Sequence, residues 1–199
     1  MDIHPLTLTG RYVRLEPISE AHIADLASAG ADETIWAYMP YGLVTTEAKM
    51  RAWVLDLIER QKRGGDLPFA VIHLESGRAV GSTRYMEINR ANRWLEIGGT
   101  WYGKDYRRTA VNTECKHLLL RHAFEVLGCI RVQLKTDLRN ERSQKAIERI
   151  GAVKEGVWRK TMIMPDGYQR SSVMYSILAE EWPGVKANLE AKLTVISEQ

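Results

Sequence analysis

The chain has 199 residues, 45% of them hydrophobic and 27% charged, which is the composition of an ordinary water-soluble globular protein. Its two cysteines, Cys115 and Cys129, match no metal-binding or redox spacing, so both are expected to pack as small apolar groups in a reducing compartment. The first residues lack the basic and apolar regions of a signal peptide, and the apolar runs are too short to span a bilayer. These features exclude a disulfide-rich secreted protein and an integral membrane protein. They predict one cytoplasmic domain over residues 1–199 that binds no metal.

The net charge of +3 conceals an asymmetry along the chain. Eleven Lys and Arg residues but only six Asp and Glu residues lie between Lys104 and Arg149, so this stretch carries +5 and the remainder −2. A concentrated basic stretch indicates a partner with compact negative charge. The alternative is a solvated, charged helix face, and charge alone leaves both interpretations open.

The first half of the chain predicts one strand and two helices. Residues 11–16 alternate apolar and charged side chains, as a strand does, and a short helix follows. A longer helix is capped by Thr45 or Thr46 and ends at Gly64-Gly65. Between the two helices lies an irregular, aromatic segment, residues 34–41.

In the second half the hydrophobic period changes from helical to alternating and back. Three closely spaced strands are predicted to pair as antiparallel hairpins. The most regular helix follows, and after it come a strand, a short helix that begins at Asn140, and a final hairpin. The predicted bounds are 67–74, 79–88 and 93–102 for the three strands, 110–127 for the long helix, 130–136 for the next strand, and 157–164 and 168–177 for the hairpin.

The predicted order, β-α-α-β-β-β-α-β-α-β-β, belongs to the α+β class. We expect a single mixed, mostly antiparallel sheet with helices on both faces. The tail from Glu181 onward is expected to pack on this domain or on a second subunit, which leaves both a monomer and a homodimer open.

The junction between the strand that ends near Trp101 and the long helix has the properties of an anion site. The first N–H groups of a helix have no intrahelical acceptor, and the helix dipole favours negative charge there. Arg107 and Arg108 precede the helix and add positive charge suited to phosphate oxygens. Thr109 or Asn112 is expected either to contact the anion or to serve only as the N-cap of the helix.

This junction resembles the cofactor motif of the GCN5-related N-acetyltransferase (GNAT) family, Arg/Gln-x-x-Gly-x-Gly/Ala. The frame falls on Arg107, Ala110 and Asn112, with Arg108 and Asn112 standing where small residues are usual. The Thr113-Glu114 pair that follows is typical of the branch resembling the ribosomal-protein-alanine N-acetyltransferases. The resemblance covers the order of strands and helices, and it implies an acetyl-CoA-dependent N-acetyltransferase with the GNAT fold. The cofactor-binding residues that it implies are Gly98, Gly99, Thr100, Trp101, Arg107, Arg108, Thr109, Ala110, Val111, Asn112, Thr113, Asn140 and Ser143.

The resemblance also implies a general base. In the family, a glutamate two positions before the glycine of this strand removes the proton of the amine, which assigns the base to Glu96. The pantetheine arm is expected to bind along the strand edge after it, where a backbone N–H of residues 97–101 polarises the thioester carbonyl. The alternative role for Glu96 is that of a structural strand residue paired with Arg93 or Arg84. Glu87 is the second choice for the base.

The helix that begins at Asn140 lies beside the pantetheine arm in members of the family. Asn140 is expected to cap this helix, to contact the cofactor, or both. Many members carry a tyrosine four residues before the glycine that corresponds to Gly151, and this tyrosine protonates the departing thiolate. Here that position is Ile147, so the catalytic acid is assigned to Ser143.

The acceptor amine is expected to enter from the side opposite the cofactor. The alternative is that the aromatic loop in this region fills the core. The acceptor is either a protein N-terminus or a small molecule. The candidate acceptor-binding residues are Trp36, Tyr38, Tyr41, Arg84 and Tyr85.

Two other function classes fit part of the sequence. A non-catalytic acyl-CoA-binding module of the same fold would keep the cofactor motif without the acid and base. A nucleic-acid-binding protein is disfavoured because the aromatic residues are not interleaved with the basic ones. No membrane partner is expected.

Overall fold

The computed structural model describes residues 1–197, and the side chains of residues 1–195. In this part of the chain there are eight strands: β1 (Leu8–Thr9), β2 (Val13–Pro17), β3 (Leu67–His73), β4 (Arg78–Asn89), β5 (Trp94–Tyr102), β6 (Arg131–Asp137), β7 (Val153–Ile163) and β8 (Gln169–Leu178). The five α-helices of the same residues are α1 (Ile23–Ala29), α2 (Glu47–Lys62), α3 (Ala110–Arg121), α4 (Glu141–Arg149) and α5 (Trp182–Ser197).

The strands form one sheet in the order β1-β2-β3-β4-β5-β6-β8-β7. Strands β5 and β6 are parallel, because α3 connects them as a crossover, and the other neighbours are antiparallel. The predicted mixed, mostly antiparallel sheet is therefore confirmed. The hairpins β3-β4 and β4-β5 are confirmed with it.

Each face of the sheet is covered by its own set of helices. On one face α1 and α2 bury Leu26, Met50 and Val54 against β3 and β4. On the other face α3 buries apolar side chains such as Leu119 against the strands, and α5 packs on α3 with Leu189 in the same core. Helix α4 adds Ile147 to this second core. The alternation of side chains along each strand supplies both cores, as expected for a sheet covered on both faces.

The element order differs from the prediction at its two ends. A two-residue strand, β1, pairs with β2 before the predicted first strand, and α5 follows the last one. The long helix is regular only to Arg121, and a π-helical turn, His122–Val126, continues it to the stop at Gly128, whose φ is +66°.

Helix α5 covers the outer side of α3. The Trp182 ring stacks on His117 and Phe124, with ring centroids 6.3 and 5.5 Å apart, and Leu189 is fully buried. Of the two expectations for the tail, packing on its own domain is observed for the buried side chains of Trp182, Val185 and Leu189.

The two cysteines are confirmed as buried, unpaired thiols. Burial raises the pKa of Cys115 to about 12 and that of Cys129 to about 11, so both resist ionisation. Within residues 1–197 no helix is both long and apolar enough to cross a membrane.

Candidate active site

The central feature of the site is an opening between β5 and β6. These parallel strands pair only through Trp94–Glu96 and Arg131–Gln133, although β5 continues to Tyr102 and β6 to Asp137. Beyond Glu96 each strand remains paired with its other neighbour, so their facing backbone edges diverge. We call residues 97–102 the free segment of β5. Its unpaired N–H and C=O groups can accept an extended ligand as an additional strand.

A bulge shapes the start of this segment. Arg84 pairs with Gly98, whereas Ser82 pairs with Trp101, so two residues of β5 oppose one residue of β4. Gly99 has a φ of +57°, a left-handed conformation that favours glycine. The bulge turns the backbone at the place where β5 leaves β6.

Glu96 lies at the vertex of the opening, with 1% of its surface exposed. Its Oε2 accepts a hydrogen bond from Gln133 Nε2 at 2.9 Å and lies 3.1 Å from Lys135 Nζ. A Cβ atom built on Gly98 would lie 2.9 Å from Oε1, so this second oxygen faces the free segment. The carboxylate is paired, as one alternative expected, but with Gln133 and Lys135 rather than with Arg93 or Arg84.

Glu87, the second choice for the base, lies away from this vertex. It occupies a bulge of β4 with a φ of +51° and is exposed. With Asp66 and Trp94 it lines an open groove of about 580 Å³ near the β4–β5 turn.

On the α3 side of the sheet, three polar side chains lie beside the free segment. The hydroxyls of Thr100 and Thr83 are 2.8 Å apart, and Lys116 Nζ donates to Thr100 Oγ1 at 2.9 Å. Lys116 is 6% exposed. Burial lowers its pKa to about 8, while Cys115 and Glu96 act in the opposite direction.

A short connection, residues 103–109, joins the free segment to the start of α3. Thr109 is the N-cap: its hydroxyl accepts a hydrogen bond from Val111 N at 3.3 Å and donates to Tyr106 O. Ala110 and Val111 are buried beneath the first turn. Asn112 lies inside the helix, where its Oδ1 accepts a hydrogen bond from Tyr102 Oη at 3.2 Å. Of the two cap candidates, Thr109 is therefore the cap.

The two arginines before α3 have different environments. Arg107 donates to Asp32 Oδ2 at 3.1 Å, to Thr34 Oγ1 at 3.3 Å and to Tyr102 O at 3.2 Å, so each guanidinium nitrogen already has a protein acceptor. Arg107 thereby anchors the loop that follows α1, and its contact with phosphate stays a prediction. Arg108 is exposed, with a φ of +64°, at the approach to the helix N-terminus.

The Thr113-Glu114 pair is engaged by the protein itself. The buried Thr113 hydroxyl accepts a hydrogen bond from Arg149 Nη2 at 3.0 Å, which links α3 to the end of α4. Glu114 accepts the backbone N–H groups of residues 11, 12 and 13, each at 2.7 Å. This carboxylate ties α3 to the turn before β2.

Helix α4 begins at the far end of β6. The Asn140 side chain caps it by accepting a hydrogen bond from Ser143 N at 3.1 Å. Ser143 is half-buried in the first turn, and Ile147 is buried in the core one turn later. The expected cap is confirmed, and cofactor contact by either Asn140 or Ser143 remains a prediction.

The aromatic loop between α1 and α2 is anchored in the core. Trp36 is 2% exposed, donates from Nε1 to Gly30 O at 2.9 Å, and packs against Trp101 with ring centroids 5.1 Å apart. Trp53 completes this cluster. Trp36 is therefore a core residue, as the alternative expected, and the buried ring of Trp101 leaves only its backbone for a ligand.

Two other candidates stand over the bulge on the α1/α2 face. Arg84 is 4% exposed; it donates from Nη2 to Tyr41 Oη at 2.8 Å, and its Nη1 lies 3.3 Å from Asp66 Oδ2. A Cβ on Gly99 would lie 3.0 Å from Arg84 Nε, so the guanidinium crosses the free segment. Burial raises the pKa of Tyr41, opposed by the neighbouring Arg84.

Tyr38 lies farther along the loop, above the β7–β8 end of the sheet. Its carbonyl accepts a hydrogen bond from Arg170 Nη1 at 3.2 Å, and its ring lies 5.6 Å from the Arg139 Cζ atom. The loop thus bridges the cluster of tryptophans and the second half of the sheet.

Tyr85 was assigned to the wrong side of the sheet. It is fully buried on the α3 face, where its hydroxyl donates to Leu119 O at 2.6 Å. Alternation along β4 sends neighbouring side chains to opposite faces, so Arg84 and Tyr85 lie on opposite sides of the sheet.

Several residues of the site were not identified from the sequence. Gln133 and Lys135 meet Glu96 only because of the β5–β6 register, which the sequence does not display. Lys116 carried a usable signal, since it lies on the apolar stripe of α3, three and four residues before Leu119 and Leu120. A lysine on such a stripe is unusual unless it is paired or functional.

The chain is similar to known proteins across the elements that build this geometry. Residues 13–153 match the family model described as the acetyltransferase (GNAT) domain. A curated relative, named "Putative ribosomal N-acetyltransferase YdaF" in Bacillus subtilis (strain 168), is 33% identical over 113 residues. That alignment spans 57% of this chain and 61% of the relative, so the chain covers less than two thirds of the relative's length.

Solved structures share the fold along nearly the whole chain. One, described as a "putative acetyltransferase" from T. thermophilus, is 41% identical, with a TM-score of 0.88 over 97% of this chain and 100% of the other. Mycobacterium smegmatis RimJ, solved in complex with CoA-disulfide, is 20% identical, with a TM-score of 0.81 over 94% of this chain and 95% of its own. The RimJ likeness is one of fold.

The family model covers well over half of the chain and includes both the vertex at Glu96 and the start of α3. The chain belongs to the GNAT family of acetyltransferases.

Proposed function

We propose that the chain is an acetyl-CoA-dependent N-acetyltransferase that transfers an acetyl group to a primary amine by direct attack. The proposal treats residues 1–199 as one N-acetyltransferase domain. The observation that carries it is the position of Glu96, a buried carboxylate at the vertex of the β5–β6 opening with one oxygen toward the free segment.

The opening suits the pantetheine arm of coenzyme A in shape and in chemistry. The free segment offers backbone donors and acceptors to an extended amide chain, and its N–H groups can polarise a thioester carbonyl. The capped start of α3 and the exposed Arg108 suit the pyrophosphate. The small, buried Ala110 leaves room at the first turn for phosphate to approach the backbone.

In this proposal Glu96 is the general base. An amine that enters from the α1/α2 face meets Oε1, while Oε2 stays bound to Gln133 and Lys135. The two partners fix the orientation of the carboxylate, which is what alignment of the attacking nitrogen requires. No covalent enzyme intermediate is needed, because the amine attacks the thioester directly.

The acceptor is either a protein N-terminus or a small amine. The name of the YdaF relative favours a ribosomal protein as one test substrate. Tyr38, Tyr41 and Arg84 are the side chains proposed to border the acceptor. A cytoplasmic location is part of the proposal, supported by the two buried free thiols.

Incubation with acetyl-CoA and a panel of amines, with release of free thiol as the signal, tests the activity. The panel contains peptides with free N-termini, amino acids and small amines. Tight binding of acetyl-CoA without turnover of any amine would instead support a non-catalytic acyl-CoA-binding module.

Replacement Glu96→Gln tests the base. The amide keeps the size of the side chain but cannot take a proton, so kcat should fall about 10²–10⁴-fold at neutral pH, with binding of acetyl-CoA unchanged by calorimetry. Glu87→Gln is the matched control and should retain the rate. An unchanged rate for Glu96→Gln at every pH would show that the base lies elsewhere.

A further inference from the structure

Lys116 is a buried amine that the proposed mechanism has not used. It is 6% exposed on the inner face of α3, next to the fully buried Leu119 and Leu120. A desolvated ammonium group destabilises a fold unless it is paired or hydrogen-bonded. A leucine or methionine would fill this place without that penalty, so the amine calls for a specific explanation.

The partners of Lys116 are hydroxyls rather than carboxylates. Its Nζ donates to Thr100 Oγ1 at 2.9 Å, and Thr100 is in turn 2.8 Å from Thr83 Oγ1. Among the described residues no carboxylate oxygen lies within 4.0 Å of Nζ; Glu96 acts on it only through space. The ammonium is therefore retained without a counter-ion.

The place of this ammonium is defined by Thr100, which belongs to the free segment of β5. If the pantetheine arm binds along that segment, the thioester lies between Glu96 on one face and Lys116 on the other. We propose that Lys116 is the proton donor to the departing coenzyme A sulfur, an inference that rests on the proposed function.

The step is balanced as follows in the proposed reaction. After the amine has attacked, the C–S bond breaks and its electron pair goes to sulfur. The sulfur takes a proton from Lys116 Nζ and leaves as the thiol. The amine loses its proton to Glu96. To reset the site, Glu96 releases this proton to solvent, and the neutral lysine takes one proton from solvent.

Acid strength favours Lys116 over the residues of α4. Ile147 has no proton to give, and a serine hydroxyl such as that of Ser143 is a far weaker acid than an ammonium group. Burial brings the pKa of Lys116 down to about 8, close to the value of about 8.5 for a cysteine-type thiol. A proton donor works best when its pKa lies near the working pH.

The groups that face Nζ set the pH dependence. These groups are Cys115 of α3, Glu96 and Thr100 of β5, and Thr83 of β4. Cys115 and Glu96 raise the pKa of Lys116, but burial lowers it by more. The donor must be protonated, so kcat should fall as the pH rises through about 8. Lys116→Met should lack this alkaline limb.

The decisive experiment needs no turnover. Coenzyme A is bound to the protein, and its thiol is titrated by thiolate absorbance, with desulfo-coenzyme A as the blank. A neighbouring ammonium stabilises the thiolate, so the pKa of the bound thiol should be lower in the wild-type protein than in Lys116→Met by about one unit or more, a tenfold change in its acidity. Lys49→Met, an exposed lysine of α2, is the control and should match the wild type.

Turnover separates proton donation from charge alone. Lys116→Met should lower kcat about 10²-fold or more and leave the affinity for coenzyme A nearly unchanged. Lys116→Arg keeps the charge but holds its proton too firmly, so it should restore the low thiol pKa without restoring kcat. Lys49→Met, the exposed control on α2, should keep the wild-type kcat.

Three results would overturn the inference. They are a bound-thiol pKa that is the same in Lys116→Met and wild type, a wild-type rate in Lys116→Arg, and loss of the alkaline limb in Ser143→Ala instead. The wild-type protein could lower the pKa of the bound thiol and yet acetylate no amine. This result would contradict the proposed function but would still support a contact between Lys116 and the sulfur. Absence of coenzyme A binding would reject both.

Discussion

At the scale of single residues, Gly98 sets the position of the candidate base. A Cβ atom at this position would lie 2.6 Å from Met86 Sδ and 2.9 Å from Glu96 Oε1, both closer than van der Waals contact. The absence of a side chain at 98 therefore leaves room for the carboxylate at the vertex, and for a ligand beside it.

Gly98→Ala should lower kcat about tenfold to 100-fold, because displacement of the base by a fraction of an ångström disturbs its alignment with the amine. Steady-state rates and calorimetric titration with acetyl-CoA check this. Gly184→Ala, where an added Cβ meets nothing within 4 Å, is the control. A Gly98→Ala protein with the wild-type rate would mean that the Glu96 position is not critical.

The exposed Arg108 tests the phosphate end of the site. Its φ of +64° suits glycine, so Arg108→Gly removes the charge and leaves the backbone conformation allowed. Affinity for acetyl-CoA should fall about fivefold to tenfold, the effect of about 1 kcal/mol from one charged contact. The fall should shrink with added salt.

Lys160→Gly is the matched control for Arg108→Gly. It is also an exposed basic residue with positive φ, but it lies in the edge strand β7. An equal loss of affinity in both variants would point to overall charge rather than to a phosphate contact.

Sequence reasoning was most accurate for residues whose role depends on neighbours in the chain. Thr109 and Asn140 cap the helices that they precede, as a local pattern can indicate. The anchoring of Arg107 to Asp32 was not predicted, because Asp32 lies 75 residues earlier in the chain. Tyr85 was misjudged because strand alternation was not applied to its pair with Arg84. Both cases concern contacts or directions that a motif does not encode.

At the scale of elements, Glu114 joins α3 to the turn before β2. Its carboxylate is 4% exposed and accepts three backbone N–H groups, and a side chain at Gly10 would overlap it. The helix that begins at the proposed cofactor site is thereby held to the first strands of the sheet. This contact explains why a glutamate stands at position 114 of the helix and why the turn residue at position 10 is glycine.

Glu114→Gln should lower the free energy of unfolding by about 1–3 kcal/mol, since the new NH2 group faces backbone donors and leaves one of them without an acceptor. Thermal unfolding should show Tm lower by about 2–4 °C for each kcal/mol. The exposed Glu180→Gln is the control. Equal Tm values for the two variants would contradict the clamp.

The strands from β2 onward and the long helix were predictable from hydrophobic period, within a few residues of their bounds. The opening between β5 and β6 was not, because both strands continue through and beyond the point of divergence. Its position depends on where parallel pairing stops, which is a property of two strands and of the crossover helix between them. Only the glycines at 98 and 99 mark it in the sequence, and the family resemblance gave them meaning.

At the scale of the whole molecule, the sheet separates the two sides of the proposed reaction. The acceptor side, with Arg84 and the aromatic loop, lies on the α1/α2 face, and Lys116 lies on the α3 face. The opening is a passage by which groups from both faces can reach a single bound molecule. A thioester between the strands would therefore meet its base from one face and its proton donor from the other.

Helix α5 stands behind α3 and away from this passage, so damage to it should affect stability more than catalysis. Leu189 is fully buried between α5 and the core, and Leu189→Ala should lower the free energy of unfolding by about 2–5 kcal/mol. Val195 is exposed on the same helix and serves as the control. Val195→Ala should change the free energy of unfolding little.

The Leu189→Ala protein that remains folded at 25 °C should bind coenzyme A and turn over as the wild type does, because α5 packs on the side of α3 that faces away from the free segment. Denaturant unfolding and steady-state rates on the same preparation measure the two properties together. A loss of kcat larger than the loss of folded protein would show that α5 positions α3, and with it Lys116, during the reaction. Retained kcat at reduced stability would instead assign α5 to the support of the fold alone.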